Sequence, residues 1–443
     1  MKGGEMRNTP ICSPRAGGFF SVPFAFSQLF TFFFILILPL VALCDSWQPI
    51  GPSGGNFVFS VTNPADLNQV TAITASPSPS NVYRSTDAGA SWSKIGEIPD
   101  TYVNEVCAFD FLTIYAITSS HCYRSIDGGV SWAWASLPTS IGWASRVCVH
   151  PADSSKVYAA GYVYDYQNYP YAYSMVFFKS TDGGLNWSAS SFFTFDSFYT
   201  RDMAISESNP DVIYIAGDKR TGSYSYGALF KSTDGGDSWT DISASVETAN
   251  GNYFNSVAID PADENKVYIG GTYFYRSTRV PRGSEITWDR SASRFYSYAI
   301  DIDPVEPSRI YAADYQSVRV STDYGQSWRI RRDCLTDSAS HIEVAPANPS
   351  TVYVSTRSGL VKSADRGQSW DSAHEGIYAA SISALAADSS GVIIQKSGYL
   401  MAYGSGGTAT WQDIVTPVSC GAVCDILLNP VNPDIVLILE DYG

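Results

Sequence analysis

Short apolar runs separated by turn residues repeat along most of the chain. Residues 256–278 are typical, and read SVAIDPADENKVYIGGTYFYRST. An alternating apolar run meets a Pro-containing turn, a second run follows around Val-Tyr, and a third ends at Ser-Thr. Alternation with a period of two, bounded by Gly, Pro, Asn and Asp, predicts half-buried β-strands. Because no stretch shows a helical period, the pattern predicts an all-β fold.

One turn sequence, Ser-x-Asp-x-Gly-x-x-Trp, returns six times, and two degenerate copies accompany it. The full copies start at Ser85, Ser125, Ser180, Ser232, Ser321 and Ser363, and the degenerate ones at Ser277 and Ser405. Successive copies are 40 to 55 residues apart, a period typical of propeller blades. The chain therefore predicts a single β-propeller of four-stranded antiparallel blades. We expect about eight blades, within a range of seven to nine, with the repeated turn between the third and fourth strands of most.

The aspartates of the repeated turn are interpreted as structural. An Asp at such a corner accepts hydrogen bonds from backbone N–H groups two and three residues later. The Gly supplies the positive φ of a tight hairpin, and the Trp packs beside the sheet. Six copies spaced around a ring cannot all reach one substrate. The residues given this structural role are Asp87, Asp127, Asp182, Asp234, Asp323 and Asp365, with Trp92, Trp132, Trp187, Trp239, Trp328 and Trp370.

The repeated turn resembles the Asp-box, or BNR, repeat of a large β-propeller family. That family includes sialidases, the sortilin receptor domain, endo-xyloglucanases and a photosystem II assembly factor, which share blades without sharing a function. The resemblance implies that any active or binding site lies on the face opposite the Asp-boxes. The Arg-Ile-Pro motif and arginine triad of sialidases have no clear counterpart here, and the acidic composition argues against the basic patch of the photosystem factor.

The chain divides into a signal segment and one repeat domain. Residues 1–44 are predicted to be a cleaved signal peptide, because Lys2, Arg7 and Arg15 precede an apolar run at 29–44. Residues 45–443 are predicted to form the propeller. Because a signal peptide precedes it, the protein is predicted to be secreted. An uncleaved anchor at the cell surface is the alternative. The last blade is expected to be incomplete or to be closed by the N-terminal strand at 46–50.

Composition narrows the possible partners. The formal net charge is −15, and an acidic surface repels the phosphate backbone of nucleic acid. Eight cysteines, two of them in the first 44 residues, do not make a disulfide scaffold. Four scattered histidines give no metal-ligand spacing. We therefore expect a monomer with no metal and no cofactor, whose only membrane contact is an uncleaved N-terminus.

Two long repeat units suggest where a ligand binds. The third and fourth units gain their extra length from 161–175 and 217–227, which are rich in tyrosine. Aromatic faces with hydroxyl groups suit sugar rings or peptides, whereas the same rings could simply pack on one another. The candidate ligand-binding residues are Tyr164, Tyr166, Tyr169, Tyr171, Tyr173, Tyr199, Tyr224 and Tyr226.

The sequence is compatible with two functions. The first is a non-catalytic module, or scaffold, that binds a glycan or an extracellular protein through the aromatic-rich face. The second is a glycoside hydrolase, which needs two carboxylates about 5–10 Å apart across the scissile bond. Its candidate carboxylates would be Asp165, Asp196, Asp202 and Asp218. The first function is preferred, since an acidic chain offers such carboxylates in any case.

Overall fold

A computed structural model describes most of residues 54–373 and seven strands between 378 and 441. Within 54–373 the gaps are at 77–78, 100–101, 139–142, 166–171, 196, 247–250, 280–285, 293, 295, 316, 333–334, 336–337 and 358. The predicted signal segment and the strand predicted at 46–50 lie outside the described residues. Helix in the described part is limited to a 3₁₀ turn at Ser243–Ser245. No helix there is long and apolar enough to span a membrane.

The fold is an all-β propeller of seven blades, each a four-stranded antiparallel meander. The first blade contains β1–β4, at Gly54–Thr62, Val70–Ser76, Ser80–Ser85 and Ser93–Ile98. The second contains β5–β8, at Glu105–Ala108, Ile114–Ile117, His121–Ser125 and Ala133–Ser136. The third contains β9–β12, at Trp143–His150, Asp153–Asp165, Ala172–Ser180 and Ser188–Phe195. The fourth contains β13–β16, at Ser197–Ile205, Ile213–Thr221, Tyr224–Ser232 and Thr240–Asp241.

The remaining three blades follow the same order. The fifth contains β17–β20, at Phe254–Asp260, Asp263–Gly271, Tyr275–Arg279 and Ile286–Arg290. The sixth contains β21–β24, at Ala299–Ile302, Ile310–Ala313, Val318–Ser321 and Arg329–Arg332. The seventh contains β25–β28, at Ala339–Val344, Val352–Thr356, Leu360–Ser363 and Asp371–Ser372. Seven blades fall within the predicted range, at its lower limit.

The ring closes between the seventh and first blades. Phe57 and Tyr83 of the first blade share a buried core with Tyr353 and Leu360 of the seventh. The Trp92 indole N–H donates to the Ala373 carbonyl oxygen at 2.8 Å across the same boundary. Closure at residue 373 explains why the ring has one blade fewer than the sequence count, because the unit that ends at Trp411 follows the closed ring.

Of the strands after the ring, the first adds to the first blade and the others form two separate sheets. β29 (Tyr378–Ala379) pairs in parallel with β1. β30–β33 form a four-stranded meander at Ile382–Ala387, Gly391–Lys396, Tyr399–Gly404 and Trp411–Asp413. β34 and β35 pair as a two-stranded sheet at Ala422–Leu428 and Val436–Asp441.

One tryptophan packs at each of the seven boundaries between blades. Each boundary has its own apolar core, built from the second and third strands of one blade and the inner strands of the next. The tryptophans in these cores are Trp92, Trp132, Trp187, Trp239, Trp288, Trp328 and Trp370. The predicted role of the repeat tryptophan beside the sheet thus becomes specific, since it fills the space between neighbouring blades.

Each repeated turn is held by a hydrogen-bond network of its own. In the first blade, Ser85 Oγ donates to Asp87 Oδ1 at 2.8 Å and accepts from the Gly89 N–H. The Asp87 carboxylate accepts from the backbone N–H and the hydroxyl of Ser91. The Asp binds the amide four residues later and, at Asp182 and Asp365, also the amide three residues later, as predicted. The prediction was wrong for the amide two residues later, because the serine hydroxyl takes that amide.

A basic residue before the turn serine often reaches the turn of the next blade. Arg84 Nη2 donates to the Gly128 carbonyl oxygen at 2.6 Å, and Lys179 Nζ lies 2.9 Å from Asp237 Oδ1. Lys362 Nζ donates to the Ala88 carbonyl oxygen at 2.7 Å and so links the last blade to the first. These contacts fill the crevices between neighbouring turns.

The meander places the loops on two opposite faces. The first-to-second and third-to-fourth strand connections, with the repeated turns, lie on one face, which we call the turn face. The second-to-third strand connections and the starts of the innermost strands lie on the other, the mouth face. The described parts of the long segments, 161–165, 172–175 and 217–227, lie at the mouth face, as the sequence predicted.

Candidate functional site

A cavity of about 460 Å³ opens where the innermost strands begin on the mouth face. We call it the channel mouth. Its polar and aromatic side chains come from all seven blades, and they include Asn56, Asn104, Glu105, Arg146, Arg201, Asn255, Tyr298, Tyr315 and Arg357. Because inner strands converge on the axis of the ring, residues about 300 positions apart in sequence meet here.

Two arginines of the channel mouth are held in place by neighbouring groups. Arg146 Nε lies 3.5 Å from Glu105 Oε1, and Arg146 also donates to the carbonyl oxygens of Ser145 and Arg201. Arg201 Nε lies 2.7 Å from Asp218 Oδ2. Burial raises the pKa of Glu105 above its ordinary range. The Arg146 guanidinium opposes this effect at Glu105 and acts in the same way on the buried Asp202 carboxyl.

A third arginine adds further positive charge. Arg357 lies between β26 and β27, and it is exposed. No carboxylate among the described residues is within ion-pair distance of it. Tyr298 and Tyr315 stand beside it in the lining, with ring centroids 5.4 Å apart in an edge-to-face arrangement. The mouth is thus a basic and aromatic opening in a chain whose net charge is −15.

Four aromatic rings form a cluster next to the mouth, on blades three and four. The Tyr162 ring lies 5.7 Å from both Trp143 and Tyr173, and 5.8 Å from Tyr199. We call these four residues the aromatic cluster. Tyr199 is 43% exposed, and the Arg201 guanidinium lies 5.8 Å from its ring centroid. Arg201 therefore joins the aromatic cluster to the channel mouth.

The structure brings together only some of the predicted ligand-binding tyrosines. Tyr173 and Tyr199 lie in the aromatic cluster. Tyr224 and Tyr226 pair with each other at 6.2 Å near the β14–β15 turn, apart from that cluster. Tyr164 lies on β10 opposite Tyr173 in register, and its side chain is outside the described part. Three predicted residues lie wholly outside it: Tyr166, Tyr169 and Tyr171.

Part of the aromatic richness of this region belongs to the core. Phe198 is fully buried, and its ring lies 5.5 Å from Phe230 and 5.6 Å from Phe195. Phe193 stacks on the same Phe230 ring at 5.1 Å. Phenylalanines of the long units thus pack between blades, whereas Tyr199 and Tyr224 are exposed.

The predicted catalytic carboxylates occupy structural positions where they can be described. Asp202 accepts the backbone N–H of Met203 through Oδ1 and that of Val257 through Oδ2, both at 2.8 Å. Asp218 is 7% exposed and pairs with Arg201. The side chain of Asp165 lies outside the described part, as does the whole of Asp196. The two described carboxylates are both engaged within the protein.

Four carboxylates join neighbouring blades along the channel wall. Besides Asp202, Glu105 accepts the Val147 N–H, Asp301 the Val344 N–H, and Glu343 the Thr62 N–H, at 2.7 to 2.9 Å. In each case the partner amide belongs to the first strand of the next blade. Burial raises the pKa of Asp301 and of Glu343 to about 7.

Sequence reasoning missed most of the channel mouth. Its arginines and asparagines are single residues on six different blades, and no motif connects them. The apolar run of each innermost strand was the available signal, since Asn104, Arg201 and Asn255 each lie two residues before such a run. The net charge of the chain did not indicate the charge of the site, because a local basic surface is compatible with an acidic chain.

Comparison with known proteins shows the fold. No family model and no curated protein matches the sequence. The GH74 enzyme of Niastella koreensis superposes with a TM-score of 0.60 and 15% identity, over 88% of this chain and 70% of that one. An ancestral GH74 enzyme gives a TM-score of 0.55 and 17% identity, over 89% and 67%. YCF48 bound to D1 peptide gives 0.50 and 14%, over 70% and 94%. At these identities the chain is similar to them in fold.

Proposed function

We propose that the protein is a secreted binding module whose channel mouth and aromatic cluster take an acidic glycan. The observation that carries the proposal is the cavity of about 460 Å³ with three arginines in its lining. Guanidinium groups bind carboxylates through paired hydrogen bonds. Exposed tyrosine rings beside them offer apolar faces to sugar rings.

The binding function is preferred because the carboxylates near the mouth are engaged in structural contacts. A glycoside hydrolase needs an acid and a second carboxylate that both face the scissile bond. Asp202 and Glu105 instead bind backbone amides of the neighbouring blade. The GH74 neighbours keep hydrolysis as the alternative, and one specific feature favours it: burial raises the pKa of both Glu105 and Asp202, as a general acid requires.

Titration calorimetry with oligogalacturonates and oligoalginates tests the proposal on the full secreted chain. We expect Arg357→Ala to weaken binding about tenfold, because one charge-assisted contact contributes about 1.5 kcal/mol. Tyr199→Ala should weaken it similarly through the lost ring face. Trp134→Ala is the matched control, since Trp134 is 58% exposed on the outer strand of the second blade.

Three results would decide against the acidic glycan. The proposal fails if neither ligand binds, or if the control lowers affinity as much as Arg357→Ala does. Binding of an acidic polypeptide in place of the sugars would support the channel mouth as the binding site but would change the class of ligand. Release of shorter oligosaccharides from the same ligands, lost in Glu105→Gln, would establish the hydrolase.

A further inference from the structure

A second cavity lies on the turn face, between the fifth and sixth blades. Its volume is about 310 Å³. Tyr268 and Arg276 of the fifth blade form one side, and Tyr324 and Gln326 of the sixth-blade turn form the other. It is separated from the channel mouth by the length of the strands, since the two cavities lie on opposite faces. The function proposed for the channel mouth does not involve this second cavity.

In the fifth blade the basic residue before the turn serine bonds within its own blade. At the first, third and seventh blades, the basic residue before the turn serine reaches the next turn. Arg276 has the same position in the fifth blade, before Ser277. It instead donates to Asp289 Oδ2 on β20 of its own blade at 2.6 Å. The crevice that Arg84 fills between the first two blades stays open here.

An unusual tyrosine stands at the rim of this cavity. Tyr324 has a φ of 59°, a left-handed conformation that is strained for a bulky residue. The same position in three other turns is glycine: Gly128, Gly183 and Gly235. The Tyr324 N–H donates to the Ser308 carbonyl oxygen at 2.9 Å, which fixes this backbone conformation. The side chain is nevertheless 38% exposed, so burial does not explain the choice of tyrosine.

The side chains around the cavity suit an uncharged, hydroxyl-rich ligand. Lys266 Nζ lies 4.8 Å from the Tyr324 ring centroid and 3.4 Å from Asp260 Oδ2. Arg276 is neutralised by Asp289, so the cavity has no excess of positive charge to favour an anion. Among the described residues, the Gln326 carboxamide has no hydrogen-bond partner and is available to a ligand. An aromatic ring with a free carboxamide beside it is a combination that binds sugars.

We propose that this crevice is a second binding site, for a neutral saccharide that packs on Tyr324 and bonds to Gln326. A volume at the low end of the usual 300–1,000 Å³ range admits about two sugar rings. The site differs from the channel mouth in face and in ligand charge. It would let one molecule hold two glycan chains, or two parts of one chain.

The test is calorimetry of the full secreted chain with cellohexaose, maltohexaose and mannohexaose. At least one should bind with a Kd of about 1 mM or lower. Tyr324→Gly should weaken that binding about tenfold while leaving the melting temperature unchanged or higher, because glycine relieves the positive φ. Gln326→Ala should also weaken binding, without an effect on stability.

Ala88→Gly is the matched control, because Ala88 has a φ of 56° at the same position of the first-blade turn. It should relieve similar strain and leave binding unchanged. Arg357→Ala should leave neutral-sugar binding unchanged as well, which separates this site from the channel mouth. The proposal is overturned if none of the three sugars binds, if Tyr324→Gly binds like wild type, or if Tyr324→Gly lowers the melting temperature.

Discussion

Trp92 provides the sharpest test of ring closure. Its side chain is 8% exposed and lies in the core between the seventh and first blades. The indole N–H donates to the Ala373 carbonyl oxygen at 2.8 Å and to the Gly89 carbonyl oxygen at 3.2 Å. Replacement by alanine should therefore open the ring at the one boundary that connects its two ends.

The cost of Trp92→Ala follows from the buried area. Burial of about 200 Å² at about 25 cal/mol per Å² gives an upper value of about 5 kcal/mol. Measured Trp→Ala substitutions in cores cost about 3–5 kcal/mol, so we expect about 4 kcal/mol. Trp92→Phe keeps much of the volume and removes both hydrogen bonds, and it should cost about 2 kcal/mol.

Equilibrium denaturation in urea, followed by tryptophan fluorescence, measures both variants. Trp134→Ala is the control for loss of an exposed indole, because Trp134 is 58% exposed, and it should change stability by less than about 1 kcal/mol. A destabilisation by Trp92→Ala that matches the control would refute closure through this contact. Equal losses in Trp92→Ala and Trp92→Phe would refute the packing estimate.

Three further predictions concern the turns and the channel wall. Gly236→Ala should lower the free energy of unfolding by about 3 kcal/mol, because a Cβ there would lie 2.2 Å from the Phe177 ring at a φ of 85°. Gly222→Ala is the control: it has a φ of 61° with open space around it, and it should cost about 1 kcal/mol. Equal losses of stability in the two variants on denaturation would contradict the clash. The folded pKa of Glu343 is raised to about 7, above its ordinary value of 4.5, so its contribution to stability is present below pH 4.5 and lost as the pH rises through 7. Glu343→Gln should accordingly raise the melting temperature by about 3 °C at pH 8 and leave it unchanged at pH 4. An equal change of the melting temperature at pH 8 and at pH 4 would contradict this prediction. The Ser369 hydroxyl and amide lower the pKa of Asp365 to about 2, so the stability that this carboxylate contributes above pH 4 should be lost between pH 4 and 2, and Asp365→Asn should flatten that part of a thermal-melting profile.

The repeated turn made the fold predictable. Its spacing gives the length of a blade, and the alternation between turns gives four strands. The blade count was less certain, because a repeat unit in sequence does not show which copy closes the ring. Closure depends on long-range contacts, such as the hydrogen bond that the Tyr353 hydroxyl donates to the Ala88 carbonyl oxygen at 3.1 Å. A local pattern carries no information about such a contact.

The site was harder to predict than the fold. The long tyrosine-rich segment of the third unit contains Tyr173 of the aromatic cluster, whereas Tyr199 comes from the innermost strand of the fourth blade. The arginines of the mouth each belong to a different blade, so only the closed ring brings them together. The alternating pattern could not separate Phe198, which is buried, from Tyr199, which is exposed, until the packing of neighbouring blades was known.

We propose that the acidic glycan binds at the mouth face, away from the repeated turns. Hydrogen–deuterium exchange, with and without the oligouronate that binds best, tests this most directly. We expect slower exchange in peptides that cover 197–201 and 352–357, at the mouth. Peptides that cover 85–92 and 363–370, in the repeated turns, should exchange at the same rate in both samples. Protection confined to the turn peptides would show that the oligouronate does not bind at the mouth.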